Sequence, residues 1–317
     1  MSETITARID ATTEIPNAFR SEVIPAPQSF KWELTDTCNF NCSMCGIRGR
    51  EVAGKSTTDI TLFRQGAEDM FRAGVKEAGL FFIGESAMAP ATLVEATKIC
   101  RAIGYEYIFL TTNGSLMTPM LFGELAEAGL TSLKFSINAA DEKQFREVMG
   151  VKPALFEKAL ANLKDCFDLR NAKGYHTRIY ASSIKFDGEQ QEKMEALLNE
   201  RVRPYCDEHY FLPLFSEMQS PSAEKNKARG WKPNAGNVGR LEKMREALPC
   251  WSVFREAHIR VDGSMSACCF GYDDTFDCGN IADGFMAGWN GDKYRALRKA
   301  HLSGDVHNTP CEKCIHG

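Results

Sequence analysis

The sequence lacks three features that would place the protein in a membrane, on a secretory route or on a nucleic acid. No run of eighteen apolar residues occurs in the 317-residue chain, so no membrane-spanning helix is predicted. The first twenty residues contain acids and no apolar h-region, which argues against a signal peptide and favours a cytoplasmic location. Lysine and arginine (38) do not outnumber aspartate and glutamate (42), so no nucleic-acid partner is expected.

Cysteine is the residue that the sequence has in excess, with twelve copies. A chain without a signal peptide is expected to stay in a reducing compartment, where thiols bind metals more often than they form disulfides. Three of the cysteines lie close together near the amino end, and six lie between Cys250 and Cys314. This uneven spacing predicts two separate metal sites.

Short apolar strands alternate with amphipathic helices between residues 30 and 213. The predicted strands are Phe30–Thr35, Glu77–Ile83, Tyr105–Thr111, Ser132–Ile137, Thr177–Ile184 and Glu208–Pro213. The predicted helices are Thr57–Gly74, Ala91–Ile103, Met117–Ala128, Ala154–Lys173 and Gln190–Arg203. Such alternation predicts a parallel sheet with right-handed crossovers, and six units are too few for a closed eight-stranded barrel.

We therefore predict an α/β fold, in which a partial (β/α)6 barrel is followed by a small cysteine-rich α+β domain. The expected parts are an N-terminal extension, the barrel, a polar linker and the cysteine-rich domain, at 1–28, 29–218, 219–240 and 241–317. The extension is expected to be an extended lead-in. In the last part, Val261–Ser264 is a hairpin signal, and a helix is predicted from Trp289 to His301.

Cys38, Cys42 and Cys45 follow the first predicted strand with the spacing C-x3-C-x2-C. Three thiolates in one loop can bind three irons of a cubane [4Fe–4S] cluster and leave the fourth iron open. An open coordination position is where chemistry can occur, as at catalytic zinc sites. Barrel active sites lie at the carboxyl ends of strands, so this loop is the expected active site. A zinc knuckle that lacks its fourth ligand is the alternative.

The segment from Trp32 to Cys45 resembles the signature of the radical S-adenosylmethionine (SAM) superfamily. The resemblance covers residues 30–215 and, separately, 250–314. It implies that the open iron chelates SAM and that a 5′-deoxyadenosyl radical abstracts hydrogen from a substrate. The family usually has an aromatic residue before the last cysteine; Met44 stands there in this chain and is expected to pack on the adenine.

Motifs that resemble the family's SAM contacts follow the next three strands. Gly84 and Glu85 stand where the family typically has Gly-Gly-Glu, so one glycine is missing, and Asn138 replaces a frequent aspartate. The resemblance implies SAM contacts at the ends of these strands, at Gly84, Glu85, Thr112, Asn113, Ser136 and Asn138. Each motif is short, but together they occur in order after successive strands.

The second cysteine set comprises Cys250, Cys268, Cys311 and Cys314. Four cysteines in two pairs can fully ligate a second [4Fe–4S] cluster, and a zinc ribbon-like site is the alternative. The segment is similar to the auxiliary-cluster modules called SPASM and twitch domains. A full SPASM module needs further cysteines after the C-x2-C pair, so a single-cluster twitch-type domain is expected. The expected cofactors are thus SAM and two [4Fe–4S] clusters.

The resemblance implies hydrogen abstraction from a small polar substrate, such as a sugar, an aminocyclitol or an aminoglycoside. The product would arise by dehydrogenation or epimerisation. Only about 29 residues precede the barrel, and peptide-modifying relatives often carry a leader-binding domain there, which favours a small molecule. A peptide maturase that epimerises or crosslinks its substrate, and a non-catalytic iron–sulfur electron carrier, remain the alternatives.

Further side chains are candidates for contacts that the motifs do not assign. The candidate hydrogen donors are the remaining thiols Cys206, Cys269 and Cys278. Cys269 is expected to face away from the second cluster, because adjacent side chains on a strand alternate. The candidate substrate contacts are Ser182, Lys185 and Glu217. A flavodoxin- or ferredoxin-like electron donor is expected to dock at the basic linker, on Lys225, Lys227, Arg229, Lys232 and Arg240.

Overall fold

The computed structural model describes residues 4–45, 56–215, 234–236, 238–271 and 274–316. The strands in these ranges are β1 (Ser29–Trp32), β2 (Glu77–Gly79), β3 (Tyr107–Thr112), β4 (Ser132–Ser136), β5 (Arg178–Ile184), β6 (Glu208–Leu212), β7 (Glu256–Ile259), β8 (Ser264–Ser266) and β9 (Asp277–Asn280). The α-helices are α1 (Ile5–Thr13), α2 (Ile60–Ala73), α3 (Pro90–Ile103), α4 (Pro119–Ala128), α5 (Glu142–Met149), α6 (Ala154–Lys173), α7 (Gly188–Leu197), α8 (Ser252–Arg255), α9 (Phe285–Trp289), α10 (Asp292–Ser303) and α11 (Glu312–His316).

All nine strands belong to one sheet, in the order β6-β5-β4-β3-β2-β1-β7-β8-β9. Strands β1 to β6 are parallel and follow each other in chain order, as helical crossovers require. Among the described strands, β6 pairs only with β5, so the sheet stays open. The predicted α/β fold with a partial (β/α)6 barrel is therefore confirmed.

The cysteine-rich segment continues the barrel sheet. Strand β7 pairs in parallel with β1, in a register that sets Ser29 opposite Glu256 and Lys31 opposite His258. Strands β8 and β9 then add in antiparallel orientation. The division into domains stays a prediction, and the sheet itself runs across the expected boundary between barrel and cysteine-rich domain.

The amino-terminal segment differs from its prediction. Residues Ile5–Thr13 form α1, so an extended lead-in is wrong for this stretch. Glu208, at the start of β6, accepts hydrogen bonds from the backbone N–H groups of Ile5 (2.9 Å) and Thr6 (3.3 Å). These contacts place α1 at the amino-terminal end of the sheet, which is opposite to the cysteine loop.

Two further helical regions also differ from their predictions. The connection from β4 to β5 contains an extra helix, α5, whose first turn is capped: Asp141 accepts from Gln144 N (2.7 Å), and the Gln144 side chain accepts from Ala140 N (2.7 Å). The helix predicted from Trp289 to His301 is divided into α9 and α10 by Asn290 and Gly291. No helix in the described ranges has the length and apolar character needed to cross a bilayer.

The two faces of the barrel sheet have different characters. On the outer face, Trp32 is fully buried and its ring lies 4.9 Å from that of Phe63 on α2. On the inner face, charged side chains such as Lys31, Lys134 and Glu256 line a cavity. Because the apolar core lies between the sheet and its helices, the barrel interior is available for polar chemistry.

Gly66 on α2 generates a stability prediction. An added Cβ would lie 2.7 Å from both the Trp32 ring and the Ile281 side chain. We expect Gly66→Ala to lower the free energy of unfolding by about 1–3 kcal/mol, because a packed barrel side chain and one from the cysteine-rich segment would have to move. The measurement is urea denaturation followed by circular dichroism.

Gly123→Ala on α4 is the matched control. Its added Cβ would meet no atom closer than 3.6 Å, so the substitution should be neutral or stabilise by about 0.5–1 kcal/mol through helix propensity. If both variants were equally stable, the close packing around Gly66 would be contradicted.

Candidate active site

The cysteine loop that follows β1 is held against the end of α5. The backbone N–H groups of Asn41 and Ser43 donate to the carbonyls of Met149 (3.0 Å) and Val148 (2.7 Å). The Cys42 thiol also lies 3.3 Å from the thioether sulfur of Met149. The predicted cysteine site therefore depends on a helix that the hydrophobic pattern did not reveal, although the Asp141–Gln144 cap was a usable signal.

Cys38 shows how the loop suits a metal cluster. Burial raises the pKa of Cys38 to about 11, and the charge of Glu85 contributes to this rise. The backbone N–H of Phe40, 3.4 Å from the sulfur, lowers this pKa in part. Without a metal the thiol form is therefore favoured, and loading this site must release protons. Cys38, Cys42 and Cys45 are all partly exposed, so three soft ligands lie in one accessible loop. This donor set fits a [4Fe–4S] cluster with one open iron.

Glu85 connects the ends of β2 and β3. Its carboxylate accepts hydrogen bonds from the Thr112 hydroxyl (2.8 Å) and the Asn113 backbone N–H (2.7 Å), and only 4% of the residue is exposed. Burial raises the pKa of Glu85, against the effect of these donors. A carboxylate has about four acceptor positions, so it can still take a further donor such as an ammonium group. The expected SAM contacts Glu85, Thr112 and Asn113 are thus brought together.

An amide network joins the cysteine loop to the end of β3. The Asn113 amide donates to Asn39 Oδ1 (2.8 Å), and the Asn39 amide donates to the Ser115 hydroxyl (2.8 Å). Sequence analysis did not single out Asn39 or Ser115. Their positions in the sequence could have indicated that they belong to the site, because Asn39 lies inside the cysteine motif and Ser115 follows the Thr-Asn-Gly end of β3.

Gly84 is required by a close backbone approach. A Cβ at this position would lie 1.9 Å from the carbonyl oxygen of Thr35, so no other residue fits without moving the backbone. The next residue, Glu85, donates its N–H to the Thr37 carbonyl (2.9 Å). The Gly84–Glu85 pair is therefore packed directly on the chain that enters the cysteine loop, and its contact with SAM stays a prediction.

A cavity of about 730 Å³ lies beside the cysteine loop and the ends of β5 and β6. Its lining includes Met44 and Lys185, two of the predicted contact residues. Asn138 lies at the edge of this region, where its side-chain oxygen accepts from Ile184 N (3.1 Å). The position of Met44 in this cavity is compatible with the expected adenine contact.

The remaining predicted contacts have mixed outcomes. Ser136 and Ser182 are register partners on β4 and β5, and Ser182 is 2% exposed, so a ligand reaches it only from the barrel interior. Glu217 lies outside the described residues, as do Lys225, Lys227, Arg229 and Lys232 of the basic linker. Arg240 is described and pairs with Asp10 of α1 (3.0 Å). The prediction that Arg240 belongs to an exposed docking patch is therefore wrong.

The four cysteines of the second set lie close together. Burial and the nearby Cys250 and Cys314 thiols raise the pKa of Cys311 to about 12. Backbone N–H groups point at two of the other sulfurs: Phe270 N lies 3.3 Å from Cys268 Sγ, and Gly236 N lies 2.9 Å from Cys314 Sγ. Such N–H donors stabilise thiolates, so the donor set fits the expected auxiliary cluster.

A single metal ion has less support from the geometry. In the part of the chain that the structure describes, no three His, Cys, Asp or Glu side chains converge on one ion position. A cubane cluster needs its ligands further apart than one ion does, because each thiolate binds a different iron. Both cysteine sets consist of thiols, which is the donor type that such a cluster uses.

The prediction for Cys269 is wrong about its direction. Strand β8 ends at Ser266, and the Gly271 N–H donates to the Cys268 carbonyl (3.1 Å), so Cys268 and Cys269 lie in a turn. The alternation of a strand does not apply in a turn. The Cys269 thiol hydrogen-bonds with Cys268, and the charge of Cys269 raises the pKa of Cys314. Cys269 therefore lies beside the second cysteine set.

The other two candidate donors lie away from the cysteine loop. Cys206 precedes β6, where its thiol points at the Arg203 carbonyl (3.9 Å), at the amino-terminal end of the sheet. Cys278 is on β9, three strands from β1, and burial raises its pKa to about 12. Neither thiol lies beside the cysteine loop, and their role as hydrogen donors stays a prediction.

A group of charged side chains inside the barrel was not predicted. Lys31 Nζ lies 2.7 Å from Glu256 Oε2, and His258 Nε2 lies 3.0 Å from the same oxygen. Burial raises the pKa of Glu256, but Lys31 and His258 outweigh it and lower the value to about 2. The sequence signal was a lysine between two large apolar residues, Phe30-Lys31-Trp32, and an alternating Glu256-Ala-His258 pair on a buried strand.

Comparisons with known families agree with this geometry. The profile of the Radical SAM superfamily matches residues 32–201, which is more than half of the chain. The profile of an iron–sulfur cluster-binding domain, SPASM, matches residues 250–315. These two families imply SAM and [4Fe–4S] clusters as cofactors.

Solved structures with a similar fold include three radical SAM proteins. BtrN in complex with AdoMet and 2-DOIA is 16% identical, with a TM-score of 0.54 and coverage of 91% of both chains. SuiB of Streptococcus suis, bound to precursor peptide SuiA, is 13% identical, with a TM-score of 0.65 over 92% of this chain and 70% of SuiB. The structure of anSMEcpe with bound AdoMet is 16% identical, with a TM-score of 0.59 over 92% and 85%. At these identities the likeness shows the fold alone.

Curated relatives match a shorter part of the chain. A probable GTP 3′,8-cyclase of Thermoplasma volcanium is 32% identical over 123 residues, and one of Saccharolobus islandicus is 30% identical over 138 residues. These matches cover 39% and 43% of this chain, which spans only 36% and 42% of the two relatives. Because the superfamily profile covers most of the barrel and the predicted cysteine loop lies within it, the chain belongs to the radical SAM superfamily and carries a SPASM iron–sulfur cluster-binding domain.

Proposed function

We propose that this protein abstracts hydrogen from a small polar substrate, such as a sugar, an aminocyclitol or an aminoglycoside, and that the outcome is dehydrogenation or epimerisation. When bound, a cluster held by Cys38, Cys42 and Cys45 and one held by the second cysteine set would supply one-electron chemistry, for the reductive cleavage of SAM at the first site and for the removal of an electron from the substrate at the second. The chain's own residues bind the substrate, exclude water and handle its protons.

The charged interior of the barrel is the observation that carries this proposal. Lys31, Glu256 and His258 lie on the inner face. A cavity of about 220 Å³ inside the barrel is lined by Lys31, Lys134 and Glu256 and, at its amino-terminal end, by α1. An apolar substrate would bury these groups without new partners, which is costly, whereas hydroxyl and amino groups can bond to them. The cavity is below the roughly 300–1,000 Å³ of drug-sized ligand sites, which favours a small molecule.

Lys134 is suited to receive the proton that dehydrogenation of a carbinol releases. Within the described ranges no hydrogen-bond or ion-pair partner reaches its ammonium group, which lies 5.9 Å from the Tyr210 ring. Burial, and then the charge of Lys31, lowers the pKa of Lys134 to about 8. A lysine that titrates near neutral pH can act as a general base.

The parallel pairing of β1 with β7 supports dehydrogenation over epimerisation, because it brings the charged interior close to the second cysteine set. The hydrogen bond with Cys268 lowers the pKa of Cys269 most, and the charges of His258 and Lys31, which are register partners on β7 and β1, lower it further. The charged interior therefore lies next to the second cysteine set. Dehydrogenation removes two electrons from the substrate, and a proposed acceptor beside the cavity suits that stoichiometry.

A peptide substrate is the second candidate. SuiB, whose fold resembles this chain with a TM-score of 0.65, was solved with a precursor peptide, and the 730 Å³ cavity beside the cysteine loop is large enough for several side chains. The names of the GTP cyclase relatives instead indicate a small-molecule substrate, GTP. This chain, however, spans only about two fifths of their length. The small charged cavity inside the barrel makes the small-molecule proposal the better supported one.

Substitution of the two cysteine sets should separate their roles. We expect Cys38→Ala to abolish 5′-deoxyadenosine release under dithionite, because it removes a ligand of the SAM-cleaving cluster. Cys311→Ala should retain part of this release but give no product. Chromatography of the quenched reaction measures both outcomes.

Cys100→Ala is the matched control for these variants, because Cys100 is buried in α3 away from both cysteine sets. It should behave as wild type. No release of 5′-deoxyadenosine by the intact, reconstituted chain would instead support the non-catalytic electron carrier. Equal loss of release in Cys38→Ala and Cys311→Ala would show that the auxiliary set is structural.

The proposed base predicts a pH profile. A panel of sugars and aminocyclitols first identifies a compound that the protein converts. The rate of product formation from this compound should rise with pH and level off above about 8, because only the neutral amine of Lys134 accepts a proton. Lys134→Met should lower product formation by roughly 10²–10⁴-fold and remove this pH dependence, while 5′-deoxyadenosine release continues. Lys164→Met, on the exposed face of α6, is the control and should change neither readout.

Turnover in deuterated water should separate the two outcomes. We expect a ketone with no solvent deuterium on the reacting carbon, and Cys269→Ser should still turn over. Deuterium on an inverted carbon, together with loss of turnover in Cys269→Ser, would establish epimerisation instead. Cys206→Ala serves as the control, because this thiol lies at the opposite end of the sheet and should be dispensable in both cases.

A further inference from the structure

His301 on α10 lies between two cysteines of the auxiliary set. Its Nδ1 atom is 3.2 Å from the backbone nitrogen of Cys250, and its Nε2 atom is 3.3 Å from the sulfur of Cys311. The residue is 1% exposed. One imidazole therefore touches both halves of the cysteine set, at positions 61 residues apart in the chain.

The hydrogen-bond geometry fixes the tautomer of His301. The Cys250 backbone nitrogen is a donor only, so Nδ1 must accept and carries no hydrogen. A neutral imidazole then carries its hydrogen on Nε2, which points at Cys311 Sγ. His301 is thus a side-chain N–H donor to a ligand sulfur.

Two other donors to this set belong to the backbone. Phe270 N–H points at Cys268 Sγ (3.3 Å) and Gly236 N–H points at Cys314 Sγ (2.9 Å). His301, by contrast, is a side-chain N–H donor to one of these four sulfurs. Its contribution can therefore be removed by substitution, which is not true of the backbone donors.

We propose that His301 raises the reduction potential of the [4Fe–4S] cluster on Cys250, Cys268, Cys311 and Cys314. The inference rests on the proposed auxiliary cluster. Reduction adds negative charge to the cluster sulfurs. Because an N–H donor stabilises negative charge, the hydrogen bond stabilises the reduced cluster more than the oxidised cluster. A raised potential makes this site a better electron acceptor, which is what dehydrogenation of the substrate requires.

Two substitutions at His301 separate the donor from the bulk of the side chain. His301→Asn can keep an oxygen near the Cys250 N–H but cannot reach Cys311. His301→Gln is long enough to place an amide N–H near the Nε2 position. Leu297→Val, one helical turn earlier on α10, is the control for loosened packing, because it is buried and has no polar group.

The measurement is a redox titration followed by electron paramagnetic resonance. It uses the 317-residue chain with Cys38, Cys42 and Cys45 replaced by alanine, so that the auxiliary set alone holds a cluster. We expect His301→Asn to lower the reduced-to-oxidised ratio at the wild-type midpoint about tenfold, which corresponds to about 59 mV for one electron. His301→Gln should stay close to wild type, and Leu297→Val should not shift.

Each other result would overturn the inference. A wild-type potential in His301→Asn, with about four irons per chain retained, would show that the N–H does not tune the cluster. An equal fall in His301→Asn, His301→Gln and Leu297→Val would assign the effect to packing. A chain that binds no iron at the auxiliary set would refute the proposed cluster itself, and iron analysis distinguishes this failure from the others.

Discussion

The parallel pairing of β7 with β1 is the constraint on which the rest of the molecule depends. It joins the cysteine-rich segment to the barrel and places Glu256 beside Lys31, 2.7 Å from its ammonium group. Glu256 is buried and the Lys31 side chain is 18% exposed. Removal of one partner of a fully buried pair typically costs about 3–5 kcal/mol, which is an upper bound for this one. The pair therefore holds two distant parts of the chain in one register. That register sets the charged interior of the barrel beside the second cysteine set.

Sequence predicted those features that depend on local pattern or on the rules of parallel sheets. Helix α2 lies within the predicted range Thr57–Gly74, with Asp59 as its N-cap and Gly74 as its C-cap. The carboxyl ends of parallel strands lie at one edge of a sheet, so Glu85 and Asn113 could be expected to meet although 28 residues separate them. The cysteine spacings alone indicated two sites, because each spacing lies within a single loop or terminal segment.

The features that sequence missed depend on partners far along the chain. Helix α1 is fixed by Glu208, about two hundred residues away, and its own apolar pattern is weak. The pairing of β7 with β1 spans a similar distance, and no local motif specifies it. The direction of Cys269 was wrong because β8 ends earlier than the alternating pattern suggested. For α1 and β7 a contact with a distant part of the chain decided the structure, whereas for Cys269 a local turn did.

Helix α1 has a kinetic consequence through the end of the barrel that it covers. Glu208 accepts hydrogen bonds from the N–H groups of its first turn, and the Arg8 guanidinium stacks 3.8 Å from the Tyr107 ring, so α1 covers the amino-terminal end of the barrel. Under the proposed function, a substrate in the barrel cavity and SAM at the cysteine loop then share the approach from the carboxyl end. The deeper of the two molecules has to arrive first and leave last. Binding would therefore follow a compulsory order, with the substrate ahead of SAM.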